Sequence, residues 1–260
     1  MATYLDRIVA AHRVAAADDH RPLGPLRAAA LAAPPPRPFA AALAAAGPLA
    51  VIAEIKRRSP SRGDLAPDLV PAELAARYEA GGATALSVLT DAEFFAGSPS
   101  DLAEARAACL LPVLRKDFTV GPRDVLDARA MGADAVLLIV AALEDAELAA
   151  LLALAGEVGL DALVEVHDEA EVERALAAGA TLVGVNQRDL TTFAVDRARA
   201  GALAPRLAGV EVRVAESGIT GPDDVGALAQ AGYHAVLVGE WLVTSDDPGS
   251  ALGLLVGARA

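Results

Sequence analysis

The chain has 260 residues, of which 54% are hydrophobic and 22% charged, and its 35 acidic against 22 basic side chains give a net charge of −13. A chain this apolar buries enough surface to offset its ordering entropy, which excludes intrinsic disorder, and its length suits one large domain or two small ones. The acidic balance argues against a polyanion-binding surface, and one Trp, three Tyr and five Phe leave little for base stacking, so no nucleic acid partner is expected.

The first 48 residues read as a helical extension: an amphipathic helix over about 3–17, a Pro-rich connector (APPPRP) and a short Ala-rich helix over about 38–46. The first helix carries Asp6, Arg7 and Arg13, so it is not a signal peptide. The longest uncharged run, Phe39 to Ala53, is broken by Gly47-Pro48 and falls short of the roughly 18 apolar residues a membrane span needs. From residue 49 onward, short β-prone runs alternate with Ala/Leu/Glu/Arg stretches of helical period. The runs are 49–56, 85–90, 112–118, 135–140, 162–167, 182–187, 212–217 and 235–240. Four of the helical stretches lead into the next strand through the same Gly-containing phrase (GGATAL, MGADAV, AAGATLV, QAGYHAV), as a C′ glycine does before a short loop.

Nearly continuous apolar strands imply a parallel sheet covered by helices. Eight such units fit a (β/α)8 TIM barrel with an N-terminal helical extension: 1–48 the extension, 49–260 the barrel, the whole a single domain. The competing doubly wound sheet would open with a Gly-rich dinucleotide loop, but the first strand here runs into KRRSPSRG. The lone Cys109 lies in an Ala-rich helical stretch and reads as a small buried apolar residue in a reducing cytoplasm.

Of the 22 basic residues only Lys56 and Lys116 are lysine, and Asn186 is the only asparagine. Arginine stays protonated, so a lysine retained against an arginine-rich background suits a position where a proton must be given up. Catalytic groups in such a barrel project from the C-terminal ends of the strands. Those positions hold Glu54, Lys56, Lys116, Asp117, Glu165, His167, Asn186, Arg188, Glu216, Ser217, Gly239 and Glu240, so both lysines and the asparagine are among them. Glu54 and Lys56 share a strand face, and inward charges are costly unless paired or used. Glu165 or Glu216 alone could serve a structural ion pair with Arg115 or Arg213; three carboxylates and two lysines at one mouth look like an acid–base site.

The ESG and VGE turns after the seventh and eighth strands offer small residues whose amides can approach a phosphate. Loop 1 adds Arg57, Arg58 and Arg62, a cationic patch that favours an anionic substrate or is simply a solvated loop. His12, His20, His167 and His234 are isolated, with no metal-ligand spacing. His167 has a catalytic and a supporting reading, and Trp241 reads as packing.

The blocks EIKRRSPSRG, LSVLTDAEFFAGS, VLRKDF, VLLIVAAL, VEVHDEAE, GVNQRDL, AESGI and LVGEWLVTSDDP, in this order, together with LDRIV near the start, closely resemble the indole-3-glycerol phosphate synthase family of tryptophan biosynthesis. The likeness spans essentially the whole chain. Gln187 stands where the family often has a second asparagine. The resemblance implies a carbon–carbon lyase that closes the indole ring of 1-(2-carboxyphenylamino)-1-deoxyribulose 5-phosphate with loss of carbon dioxide and water, without metal or organic cofactor.

On that resemblance, Lys116 is the general acid at the carbonyl oxygen and Glu165 its acid–base partner in dehydration. Lys56 pairs with the substrate carboxylate or acts as a second-step acid, and Glu54, Asn186 and Glu216 orient lysines and hydroxyls. Ser59, Arg188, Ser217, Gly218, Gly239 and Glu240 line the phosphate side, while Phe94 or Phe95 and Leu190 cover the anthranilate ring. The partner expected is a small phosphorylated substrate, with no membrane and a cytoplasmic location; a monomer and a complex with other pathway enzymes both stay open. A Schiff-base aldolase, or a barrel that only binds a phosphorylated ligand, are the competing readings.

Overall fold

Eight parallel strands close into a barrel in the computed structural model, which describes residues 3–47 and 49–258. They are β1 (Ala50–Ile55), β2 (Ala85–Leu89), β3 (Val113–Lys116), β4 (Ala135–Ile139), β5 (Asp161–Val166), β6 (Leu182–Asn186), β7 (Val212–Glu216) and β8 (Ala235–Val238). Each pairs with its sequence neighbours and β8 returns to β1, with Ala50 opposite Ala235 and Ala53 opposite Val238. All eight expected strands are present, each within a residue or two of its expected limits.

Helices fill the crossovers: α4 (Pro71–Ala80), α5 (Pro99–Ala108), α6 (Pro122–Ala130), α7 (Asp145–Glu157), α8 (Glu169–Ala177), α9 (Arg199–Leu203), α10 (Pro222–Gln230), the four-residue α11 (Glu240–Val243) and α12 (Pro248–Gly257). The glycines of the repeated phrase, Gly82, Gly132, Gly179 and Gly232, all have φ between +86° and +96°, as the left-handed residue that ends a helix requires. The helix before β7 is short, because Pro205 cannot continue it: α9 gives way to a 3-10 turn over Ala204–Leu207.

The alternation of the strands divides the core in two. In β1, Val51, Ala53 and Ile55 face the helices, while Ala50 and Ile52 point inward with Leu114, Leu137, Leu163, Val214 and Leu237. Three helices precede the barrel: α1 (Tyr4–Asp18), α2 (Leu23–Ala32) and α3 (Phe39–Ala45). Helix α3 closes the N-terminal end with Phe39 and Leu43, both fully buried in the inner core. Helix α1 lies over the opposite end, Leu5 and Ile8 entering the same core beside Ile139. Helix α2, which packs on α6, was not expected. Gly24 and Pro25 fall in its first turn, where a missing N–H leaves no hydrogen bond unmade. The expected boundary between extension and barrel, at residue 48, lies outside the described residues.

Candidate active site

The barrel's C-terminal mouth is a cavity of about 490 Å³. Lys116, at the end of β3, is the centre of its floor. Its Nζ donates to Glu165 Oε2 of β5 at 2.9 Å and lies 3.5 Å from Glu216 Oε2 of β7. Asn186 of β6 donates to the other oxygen of Glu165 at 3.1 Å, and Lys56 pairs with Glu54 on β1. The floor is therefore drawn from β1, β3, β5, β6 and β7. Arg115 pairs instead with Asp117 at 2.9 Å, and neither Glu165 nor Glu216 pairs with Arg115 or Arg213 among the described residues.

Two glycines make room for these charges. A Cβ on Gly184 of β6 would fall on the Glu216 carboxylate, and one on Gly239, just after β8, would fall on that of Glu54. Burial pushes the Glu216 carboxyl up to about 8; Lys116 opposes this, and the neighbouring Glu165 and Glu54 add to it. Burial acts the same way on Glu165, but Lys116, His167 and the Asn186 hydrogen bond outweigh it and hold that carboxyl low, at about 2. Burial would discharge Lys116; Glu165, Glu216 and Glu54 reverse this and hold it protonated above the usual lysine range. Lys116 is thus held as a lysinium beside an ionised Glu165, while Glu216 is the carboxyl that burial pushes toward its neutral form.

The wall on the β7–β8 side is small and polar. Ser217 and Gly218 are both left-handed, φ +64° and +73°, a strained backbone for serine that turns the chain after β7 along the cavity. Gly239 and Glu240 lead into α11, the short extra helix that such barrels carry near a phosphate site. Arg188 donates to Ser61 Oγ at 3.3 Å and to Glu240 at 3.4 Å, and Arg62 pairs with Glu240 at 2.9 Å. The Glu240 carboxylate thus holds two arginines, and only its backbone amide suits an anion. On the opposite side Phe95, Phe118, Ile139 and, from α1, Leu5 and Ile8 form an apolar wall, to which Leu190 and Phe193 add from the loop after β6.

Every residue expected at the site lines this cavity except Phe94 and His167. Phe94 is buried in the core, edge-on to Tyr4 with ring centroids 5.9 Å apart, because the Asp91 carboxylate caps the turn and leaves Phe95 facing the cavity. The cationic loop is also smaller than expected. Arg57 is taken up by Asp101 and the Leu69 carbonyl, and Arg58 by the carbonyls of Phe94 and Glu93, so both brace the loop; Arg62 and Arg188 reach the mouth. Nor is His12 isolated: its Nε2 lies 3.0 Å from Asp91 and 3.8 Å from Asp117, across the seam between α1 and the barrel. Sequence reasoning missed Tyr4, Leu5, Ile8, Phe118 and Phe193. The Leu5/Ile8 spacing marks a buried helix face but not what it covers. Trp241 packs as expected and also borders the cavity.

A closed parallel barrel with a half-buried lysine and carboxylates converging on its C-terminal mouth defines the class, a (β/α)8-barrel enzyme. The chain belongs, more narrowly, to the indole-3-glycerol phosphate synthase family, whose model matches residues 5–255. It is similar to indole-3-glycerol phosphate synthase 2 of Streptomyces coelicolor, 58% identical over 88% of each chain. It is also similar to the indole-3-glycerol phosphate synthases of Nocardioides sp. (53% identical, 98% of this chain and 99% of the relative) and Rhodococcus jostii (52%, 99% and 96%). Among solved structures it resembles 3-hexulose-6-phosphate synthase, with a TM-score of 0.64 at 19% identity, covering 82% of this chain and all of the other. A thiamine phosphate pyrophosphorylase from Pyrococcus furiosus gives 0.61 at 18%, covering 82% and 96%. These two share the fold alone. The protein is an indole-3-glycerol phosphate synthase, a carboxy-lyase of tryptophan biosynthesis. No helix among the described residues is long and apolar enough to cross a membrane.

Proposed function

We propose that the floor of the cavity divides the reaction between two proton-handling groups. Lys116 is the general acid that protonates the substrate's C2′ carbonyl oxygen as the ring closes, and Glu165 is the acceptor that takes a proton in the dehydration. The observation that carries this is the Lys116 ammonium seated between two carboxyls, 2.9 Å from Glu165 and 3.5 Å from Glu216. A charged lysine donates a proton but does not attack a ketone, so the same seat speaks against a Schiff base. Lys56, held by Glu54, is placed to meet the substrate carboxylate that leaves as carbon dioxide, and Asn186 fixes the orientation of Glu165.

The substrate phosphate lies along the β7–β8 wall, on the amides of the Ser217-Gly218 turn and of Gly239-Glu240, with Arg188 and Ser59 at its edge. The anthranilate ring lies against Phe95, Phe118 and Leu190, on the other side of Lys116. The chain acts as one barrel domain with an N-terminal helical extension, in the cytoplasm, on this small substrate.

A single turnover followed by carbon dioxide release and by indole fluorescence tests the division. Glu165→Gln is expected to release carbon dioxide while indole formation falls by about 10²–10⁴-fold. Equal loss of both signals, or of neither, contradicts the role given to Glu165.

A further inference from the structure

Gln187 directly follows Asn186 at the end of β6, yet it does not line the cavity, and it is only 2% exposed. Its backbone is pinned on both sides: its N–H donates to the Glu216 carbonyl at 2.9 Å, and its carbonyl accepts the Asp196 N–H at 2.8 Å. The side chain reaches across to the turn after β7, where Nε2 donates to the Ser217 carbonyl at 2.8 Å. Oε1, the other end of the same amide, is buried without a hydrogen-bond partner. A buried amide with one end unmet costs stability unless its other end is needed.

That other end holds the strained residue of the phosphate wall. Ser217 is left-handed, φ +64°, and such a backbone persists only where its surroundings over-determine it. The peptide unit joining Ser217 to Gly218 is trans and planar, so its C=O and its N–H point in opposite directions. With the carbonyl drawn to Gln187, outside the cavity lining, the Gly218 N–H is turned the other way, towards the cavity that both residues line. That N–H donates to no group among the described residues. The loop after β6 also keeps the turn from shifting: a Cβ on Gly218 would fall 2.5 Å from Val195 Cγ1 and 3.5 Å from Gln187 Nε2.

We propose that Gln187 is a positioning residue for the substrate phosphate: its amide holds the Ser217 carbonyl so that the Gly218 N–H faces the anion. The inference rests on the phosphate seat given under the proposed function. Without the Nε2 donor the Ser217–Gly218 peptide is free to turn its carbonyl to the cavity, where an acceptor oxygen repels a phosphate. The phosphate takes no part in the bond changes, so this contact is worth the same before and during reaction, and its loss falls on KM rather than kcat.

The test is Gln187→Met, which keeps the length of the side chain and removes the donor, assayed for turnover with inorganic phosphate as the competing ligand. KM and the phosphate inhibition constant are each expected to rise about tenfold, as for the loss of one hydrogen bond to a charged group, with kcat little changed. Unchanged constants, or a fall in kcat alone, overturn the proposal. Gly218→Ala, whose Cβ meets Val195, separates the two failures. If it raises both constants and Gln187→Met raises neither, this proposal falls alone; if neither variant moves them, the phosphate seat falls and this proposal with it. Should Gln187→Met fail to fold, the unaltered protein decides. On titration with inorganic phosphate the Gly218 amide signal is expected to move downfield in a nitrogen–proton NMR spectrum, and a stationary Gly218 signal overturns the proposal.

Discussion

At the scale of single residues, the site depends on absences of side chain as much as on charges. Glu216 occupies the volume that any residue but glycine would fill at position 184, one strand away in the barrel. Gly184→Ala is therefore expected to displace the Glu216 carboxyl from Lys116, cutting turnover at least about tenfold and stability by about 1–3 kcal/mol, the usual range for overpacking. Gly226→Ala, in the interior of α10 with open space around it, is the control: it is expected to keep full activity and gain about 0.5–1 kcal/mol. Urea unfolding and turnover measured on both variants check this pair. Neither glycine could be told apart in the sequence, where GVN and VGA are equally plausible, because the carboxylate that claims the space at 184 comes from a strand some thirty residues on.

At the scale of elements, α1 is the piece whose task the sequence hides. Its amphipathic pattern shows that Leu5 and Ile8 are buried, but the mouth they cover is assembled from loops far along the chain. The helix is tied down by His12 on Asp91 and Asp117 and by Arg13, which donates to Glu147 at 2.8 Å and to the Ala142 carbonyl at 3.0 Å. Burial opposes the His12 charge, but the Asp91 hydrogen bond and the Asp117, Asp91 and Asp124 charges outweigh it and raise the imidazole. Burial likewise opposes the Asp91 charge, and His12 with the Phe94 N–H outweighs it and lowers that carboxyl. A raised histidine contributes stability fully below its unfolded pKa, near 6.5, and loses it as pH rises through its folded value. A lowered aspartate contributes above its unfolded pKa, near 3.8, and loses it as pH falls through its folded value. The tie is thus strongest between about pH 4 and 6.5 and weakens on the alkaline side. Hydrogen exchange of the α1 amides, corrected for intrinsic rates, is expected to show easier opening at pH 9 than at pH 6, and His12→Ala to remove that difference. The strands, by contrast, were readable to within a residue or two. Their apolar runs are short, glycine marks the end of four of the helices that precede them, and burial on both faces leaves no alternative to a covered parallel sheet.

At the scale of the whole molecule, a chain of net charge −13 gathers two lysines at the one place where its strands converge. The scarcity of lysine pointed to Lys116, and barrel geometry pointed to the carboxylates around it. The sequence could not show the partnership, since Lys116 meets Glu165 and Glu216 only when β3, β5 and β7 are brought round the barrel. The arginines of loop 1 misled for the same reason: a run of charge does not disclose that Arg57 and Arg58 turn away to brace the loop. In the proposed reaction Lys116 is central because it holds a proton at the cavity floor and gives it up. Turnover of Lys116→Arg, measured by indole fluorescence beside a folding check, tests this most directly. If the proton is what matters, turnover falls by at least about 10²-fold in a folded protein, whereas near-normal turnover would mean that positive charge alone suffices and that Lys116 is not the acid.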